Sequence, residues 1–287
     1  MKKFFLATIL GIALASLAAC GSSESTLDKL KDDGKVTVGF ANEKPYAYEE
    51  NGKLKGAAVD IATAVFKELG IDKVDGKLSD FSQLVSGLNA GQFDVITAGM
   101  AITPERCENV AFGEPEMQYG EGFIVQKGNP KNLKSYQDVA KNKDIKVSIM
   151  EGATEHGFMK SEGVDPKQIQ SAPDIPATFA AVESGRADVT TGTEMTIKMA
   201  LESANNDKLE FVEDFEQPDV EGVPSYGAAA FNEDDEELLK AYNKALKKLK
   251  KDGTVAELLE KNSFNGETNS VNDDSITTEK ICKGEVK

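Results

Sequence analysis

Arg106 is the residue of this chain best placed to do chemistry, because of what precedes it. The run Phe93-Asp94-Val95-Ile96-Thr97-Ala98-Gly99-Met100 is apolar, β-rich and closes on Gly, and it reads as a buried strand. Thr103-Pro104-Glu105 then reads as a helix start: Thr103 can cap, Pro104 fits the first turn and Glu105 suits its positive end. Arg106 therefore falls just beyond the C-terminal edge of a buried strand, where open α/β sheets collect ligands. A guanidinium there can grip a carboxylate with two parallel charge-assisted hydrogen bonds. A lone arginine is more often a surface residue paired with a nearby acid. The strand-edge position argues against that here.

Other chemistry is poorly supplied. There is no Trp and a single His, His156, beside Glu155. A lone His at a helix start is more often structural or exposed, and no Ser or Cys nucleophile stands at a matching spacing. An enzyme would need paired acids, or a base, converging on a reactive atom. No such constellation is legible in the sequence.

The elements that must position Arg106 alternate strand and helix. Val36–Phe40 is strand-like. Ile61, Ala62, Val65, Phe66 and Leu69 recur at helical spacing, with Gly70 as terminator. Leu84, Val85 and Leu88 form a second stripe, stopped by Gly91. Lys146–Met150 is again strand-like and Asp174–Ser184 helical. A pattern then returns: Leu88-Asn89-Ala90-Gly91-Gln92-Phe93-Asp94-Val95 is echoed by Val182-Glu183-Ser184-Gly185-Arg186-Ala187-Asp188-Val189. In both, a helix end, a glycine and two residues lead into Asp-Val and a strand. Each copy follows a comparable strand–helix stretch, so the chain reads as two similar α/β lobes. Leu238, Leu239, Tyr242, Leu246 and Leu249, then Val255, Leu258 and Leu259, predict a C-terminal helix pair packed on the first lobe.

The chain would then cross between lobes twice, near Ile124–Gln126 and near Val220–Tyr226. That divides it into 27–124 (first lobe), 125–222 (second lobe) and 223–287 (return to the first lobe, with a tail). Two lobes on two crossovers make a hinged clamp with a ligand cleft between them.

The N-terminus sets the compartment. Lys2 and Lys3 precede an apolar run from Phe4 to Ala19, too short and wrongly flanked for a stable membrane span. Leu17-Ala18-Ala19-Cys20 resembles the lipobox of bacterial lipoproteins. The resemblance implies a signal peptide over 1–19, cleavage before Cys20, lipid on that cysteine and a short anchored linker over 20–26. An exported protein is expected. Of three cysteines, Cys107 and Cys282 then remain, and outside the cytoplasm such a pair is expected to be bridged. Only the tertiary structure can bring the two sulfurs together.

Of 287 residues, 33 are Lys or Arg and 49 are Asp or Glu, and the net charge of −16 becomes −18 once Lys2 and Lys3 leave. So acidic a surface repels nucleic acid, which excludes that partner class.

The lipobox-like end, the two-lobed α/β layout and Thr103-Pro104-Glu105-Arg106 after a strand together resemble the family 3 solute-binding proteins of amino-acid-type ABC transporters. Within that family the chain is most similar to the ectoine/hydroxyectoine-binding group. The finer resemblance is carried by Ala41-Asn42-Glu43-Lys44-Pro45-Tyr46, by Thr97-Ala98-Gly99 leading to Pro104-Glu105-Arg106-Cys107, by Gly152-Ala153-Thr154-Glu155 and by Thr277-Thr278-Glu279-Lys280-Ile281-Cys282. It implies a type II periplasmic-binding-protein-like clamp, no cofactor, no metal, no catalysis, and ligand contacts at Glu43, Tyr46, Phe81, Arg106 and Thr154. Ectoine is a small zwitterion, a carboxylate on a ring that carries a delocalised amidinium. Arg106 would hold the carboxylate, with the Thr154 hydroxyl and a helix-start amide beside it. Glu43 would accept from the ring N–H groups, and Tyr46 and Phe81 would face the flat cation. The implied partners are a small zwitterionic solute, an ABC permease and, through the lipid, the membrane. The protein itself is expected to be a monomer.

Two departures bear on the ligand. Family members for ordinary α-amino acids carry an acid a few residues after the Gly-x-x-Asp motif, to grip the ammonium. Here that place is near Thr193, with Glu194 adjacent, which favours a ring of spread charge. The ectoine-binding group also places a third aromatic where this chain has Ala101, so the cage is open or Tyr119 or Phe112 supplies the wall. The competing readings are a receptor for glutamine, glutamate or arginine, and an enzyme, because the fold also hosts dehydratases. Taken without the resemblance, Tyr46 and Phe81 read equally well as core aromatics and Glu43 as a loop charge.

Overall fold

Two sheets of one plan organise the computed structural model, which describes residues 25–286. The signal segment 1–19, Cys20 and most of the 20–26 linker lie outside the described residues.

In the first sheet Lys73–Leu78, Lys35–Phe40 and Val95–Ala101 run parallel, Ser225–Phe231 pairs antiparallel with the last of them, and Ala111–Phe112 pairs antiparallel with Ser225–Phe231. Met117–Tyr119 also pairs with Ser225–Phe231. In the second, Ile169–Ala172, Val147–Met150 and Val189–Thr193 run parallel, Glu121–Gln126 pairs antiparallel with the last of them, and Leu209–Phe211 pairs antiparallel with Glu121–Gln126. The architecture is the α/β, two-lobed, type II periplasmic-binding-protein-like clamp.

Helices seal the sheets. Val95–Ala101 and Ser225–Phe231 are buried at every position, which is why they read as unbroken apolar runs rather than alternating ones. On one face of the first sheet lies helix Ala57–Glu68, burying seven residues, with helices Glu236–Lys251 and Thr254–Lys261 packed into the same core. Phe66, Tyr242 and Phe231 meet there edge to face, with ring centroids 5.5 and 5.0 Å apart. On the other face helix Leu84–Asn89 packs with Phe93, Phe112 and Ile281. Cys107 and Cys282 are joined in a disulfide, which ties the tail helix Thr278–Cys282 to the helix Pro104–Cys107.

Two local readings shift. Tyr119 pairs in the first sheet and Glu121 in the second, so the first passage lies at Gly120, and Ile124–Gln126 is already inside the second sheet. Apolar character marks that segment as a buried strand but carries no information about which sheet it joins. The return passage lies between Phe211 and Ser225. Likewise Gly99 does not end its strand. It takes φ 62° and the strand runs on to Ala101.

Candidate ligand-binding site

Arg106 is positioned by purely local chemistry. Thr103 caps the short helix by accepting the Arg106 N–H at 3.2 Å, and Pro104 occupies the first turn. The guanidinium then donates through Nη1 to the Ala101 carbonyl at 2.8 Å and through Nη2 to the Gly152 carbonyl at 2.9 Å. Its Cζ lies 5.4 Å from the centre of the Phe81 ring. Ala101 belongs to the first lobe and Gly152 to the second, so Arg106 joins the two. Five N–H donors are available to a guanidinium, and those two bonds leave others to face the cavity beside it. Burial lowers its pKa, opposed by Glu155, Glu105 and Glu43 nearby, and an arginine stays charged in either case.

That cavity lies between the lobes, and Glu43, Tyr46, Phe81, Arg106 and Thr154 all line it, together with Gly99, Ala101, Tyr119, Glu155, Thr193 and Thr196. The loop after strand Lys35–Phe40 folds back through a bridge between Glu43 and Ala47, which delivers Glu43 and Tyr46 together. Tyr46 is both a core residue and a wall: it is 2 % exposed, it packs edge-on against Tyr119 and Phe264 at 5.2 and 5.1 Å, and its hydroxyl has no partner. Gly99 makes this possible, because a Cβ there would come within 2.2 Å of the Tyr46 ring. Phe81 touches the cores of both lobes. Tyr119 takes its place in the wall and donates its hydroxyl to the Gly99 carbonyl at 2.6 Å. Phe112, the other candidate for the open side, points into the first-lobe core instead. Thr154 holds the N-cap position of helix Glu155–Ser161 without capping it: its own backbone is already helical, and its side chain makes no cap bond.

The electrostatics of the cavity were not legible in the sequence. Near Thr193 no acid enters, but acids arrive from other elements. Glu43 lines the cavity from the first lobe, and burial, reinforced by the charge of Glu155 and opposed by Arg106, pushes its carboxyl up to about 8. Glu155 lines it from the second lobe and is 3 % exposed. Behind it stands Glu121, 1 % exposed, whose pKa burial and Glu155 raise well above the carboxylate range. The acid missing near Thr193 is thus matched by carboxyls brought to the cavity from other positions, those of Glu43 and Glu155. One signal for Glu121 does exist, a charge directly before the apolar stretch Gly122–Val125, since unpaired acids rarely enter buried strands. His156 lines a wider groove beside the cavity and not the cavity itself.

Comparison with known proteins agrees with this geometry. The model of the bacterial extracellular solute-binding proteins, family 3, matches residues 36–265. The probable amino-acid ABC transporter periplasmic-binding protein y4tE of Sinorhizobium fredii is 38% identical over 239 residues, spanning 82% of this chain and 78% of that protein. Among solved structures, EhuB in complex with hydroxyectoine superposes with a TM-score of 0.81 at 34% identity, covering 90% of this chain and 98% of that one. An ancestral arginine-binding protein bound to glutamine superposes at 0.69 with 32% identity, covering 80% and 97%. Proteins of this family work outside the cytoplasm and hand small solutes to ABC permeases, and among the described residues no helix is long and apolar enough to cross a membrane. A match that spans both lobes, with a polar cavity closed between them, leaves one conclusion: the chain belongs to the family 3 bacterial extracellular solute-binding proteins, the receptors of ABC transporters for amino acids or similar solutes.

Proposed function

We propose that this receptor captures ectoine or hydroxyectoine and delivers it to an ABC permease, held at the membrane by lipid on Cys20. One observation carries the reading: a cavity that sets a single arginine against three aromatic side chains, Tyr46, Phe81 and Tyr119, with Glu43 among them. Arg106 and Thr154 suit a carboxylate, whereas π faces and an acid suit a flat, delocalised cation that needs few directed acceptors. The unpartnered Glu43 Oε1 and Tyr46 hydroxyl supply the hydrogen bonds such a ring would require. The likeness to the hydroxyectoine complex of EhuB supports the same choice.

The second reading is a polar amino acid of the glutamine, glutamate or arginine type. It draws on Glu43 and Glu155, two acids that could replace the hydration of a compact ammonium. Calorimetric titration of the mature protein with ectoine, hydroxyectoine, glycine betaine and the common amino acids separates the two. Tightest binding to an ectoine is expected. Tight binding of glutamine, glutamate or arginine with none for either ectoine would replace the first reading by the second. The anchor has its own test, incorporation of labelled palmitate into the exported protein and its loss in Cys20→Ala.

A further inference from the structure

We infer that the second lobe supplies a ligand-facing acid of its own: Glu155, positioned by Glu121, opposes Glu43 of the first lobe across the cavity, and the cationic end of the solute sits between the two carboxylates. The inference rests on the reading of the ligand as a zwitterion held in this cavity, and it names what selects its positive end.

Glu155 is the first residue of helix Glu155–Ser161, and Glu121 the first residue of strand Glu121–Gln126, so two unrelated elements bring their carboxyls together. The two are within hydrogen-bonding reach, yet Glu121 Oε2 has no partner that could donate to it. Burial, reinforced by the neighbouring Glu155, holds the Glu121 carboxyl well above the usual carboxylate range. An independent pair of atoms points to a ligand in the same place. The Tyr46 hydroxyl and Thr196 Oγ1, on residues 2 % and 3 % exposed, both belong to the cavity wall and neither has a partner. Buried hydroxyls are normally bonded, so this wall is built for a guest with polar atoms.

The charge balance around Glu43, Glu121 and Glu155 is lopsided. Arg106 faces them as the one cation in the cavity wall, already bonded to two carbonyls. Tyr46, Tyr119 and Tyr136 face them as hydroxyls held neutral by burial, and Glu194 adds a further acid near Tyr46. A cation placed between Glu43 and Glu155 meets an acid from each lobe and draws the lobes together. Glu43 carries its proton up to about pH 8 in the closed cavity. The arriving cation favours the carboxylate, so the O–H bond breaks and the proton passes to the buffer. Anionic and neutral guests gain nothing from this arrangement, which makes Glu155 a specificity determinant and Glu121 a positioning residue.

The test is calorimetry on the mature protein near neutral pH, in buffers of different ionisation enthalpy, with ectoine and L-arginine as probes. The heat should track the buffer, reporting release of up to about one proton per ligand bound. Glu155→Gln should weaken binding roughly 10- to 100-fold and reduce that release. Glu121→Gln should cost less affinity but shift the pH dependence of binding, a change that loss of packing alone would not produce. Both variants should melt at or above the wild-type temperature, because each removes one of two facing buried acids. Binding of Glu155→Gln within about two-fold of wild type, or heats independent of buffer, would overturn the inference. Should arginine bind and ectoine fail, the ectoine reading falls, while the Glu155→Gln comparison with arginine still decides this one.

Discussion

The two copies of Gly-x-x-Asp-Val solve one structural problem in the same way and then part. Gly91 and Gly185 each close a helix in the left-handed region, at φ 66° and 73°. Asp94 and Asp188 each accept, through Oδ2 at 2.8 Å, a backbone N–H from the neighbouring parallel strand, that of Thr37 and of Lys146. Their own N–H groups return to the carbonyls of those same residues at 2.9 and 2.8 Å. The reciprocal pair sets the register of two parallel strands in each lobe, Val38 against Val95 and Val147 against Val189. Beyond the strand the copies diverge. The first leads to the Thr103 cap and Arg106; the second leads to helix Glu194–Ala204 and the Thr196 hydroxyl. The scaffold is duplicated and the chemistry is not. The first lobe brings Arg106, Glu43 and the aromatics to the cavity, and the second brings Glu155 and the hydroxyls of Thr154 and Thr196.

Substitutions in each copy test how far the likeness extends. The largest effect belongs to a feature of the first copy alone, the bridge from Cys107 to Cys282, a sequence separation of 175. Replacing both by Ser should cost about 2–5 kcal/mol of stability, read from thermal or denaturant melts of oxidised protein. Coincident melts would mean that the tail is held by packing and the bridge adds nothing. Next comes Arg106→Ala, expected to weaken solute binding by about 1.5–3 kcal/mol, roughly 10- to 150-fold, with the fold intact. Binding within a few-fold of wild type would remove the carboxylate from this wall. Phe81→Ala should lose about 1–2 kcal/mol of binding to an ectoine through cation–π contact and apolar area, and noticeably less for a guest with a compact ammonium. An equal loss for both would show that Phe81 only packs the lobes together. The smallest effects test the shared device. Asp94→Ala and Asp188→Ala should each cost about 0.5–1.5 kcal/mol in melting experiments. Asp94 should cost more, because its bond is partly buried and that of Asp188 is exposed. If only one of the two has a cost, the copies are alike in sequence and not in function.

Much of this was open to a reader of the chain. The Thr103-Pro104 helix start, the Gly91 and Gly185 terminators and the Asp188 echo of Asp94 are local events, decided by residues within one turn of each other. The stripe Leu238, Tyr242, Leu246, Leu249 declares a buried helix face by spacing alone. Glu43, Tyr46, Phe81, Arg106 and Thr154 are the contacts that the family resemblance implies, and all five line one cavity. Glu121 gives only the faint signal of a charge at the head of an apolar strand, and Glu155 sits in an ordinary helix start. Only their approach across the second lobe makes them a pair.

What the sequence by itself determined is therefore the set of elements, their caps, and the duplicated strand–helix plan, since these follow from spacing and from side-chain bonds a few residues long. What the tertiary structure alone decided is the passage at Gly120, the choice of Tyr119 over Phe112 as a wall, the two carbonyls that hold Arg106, and the acids that balance it. Those depend on which atoms lose water together. Desolvation is a property of through-space neighbours, and Ala101 and Gly152, the two ends of the Arg106 fork, become neighbours only when the lobes meet.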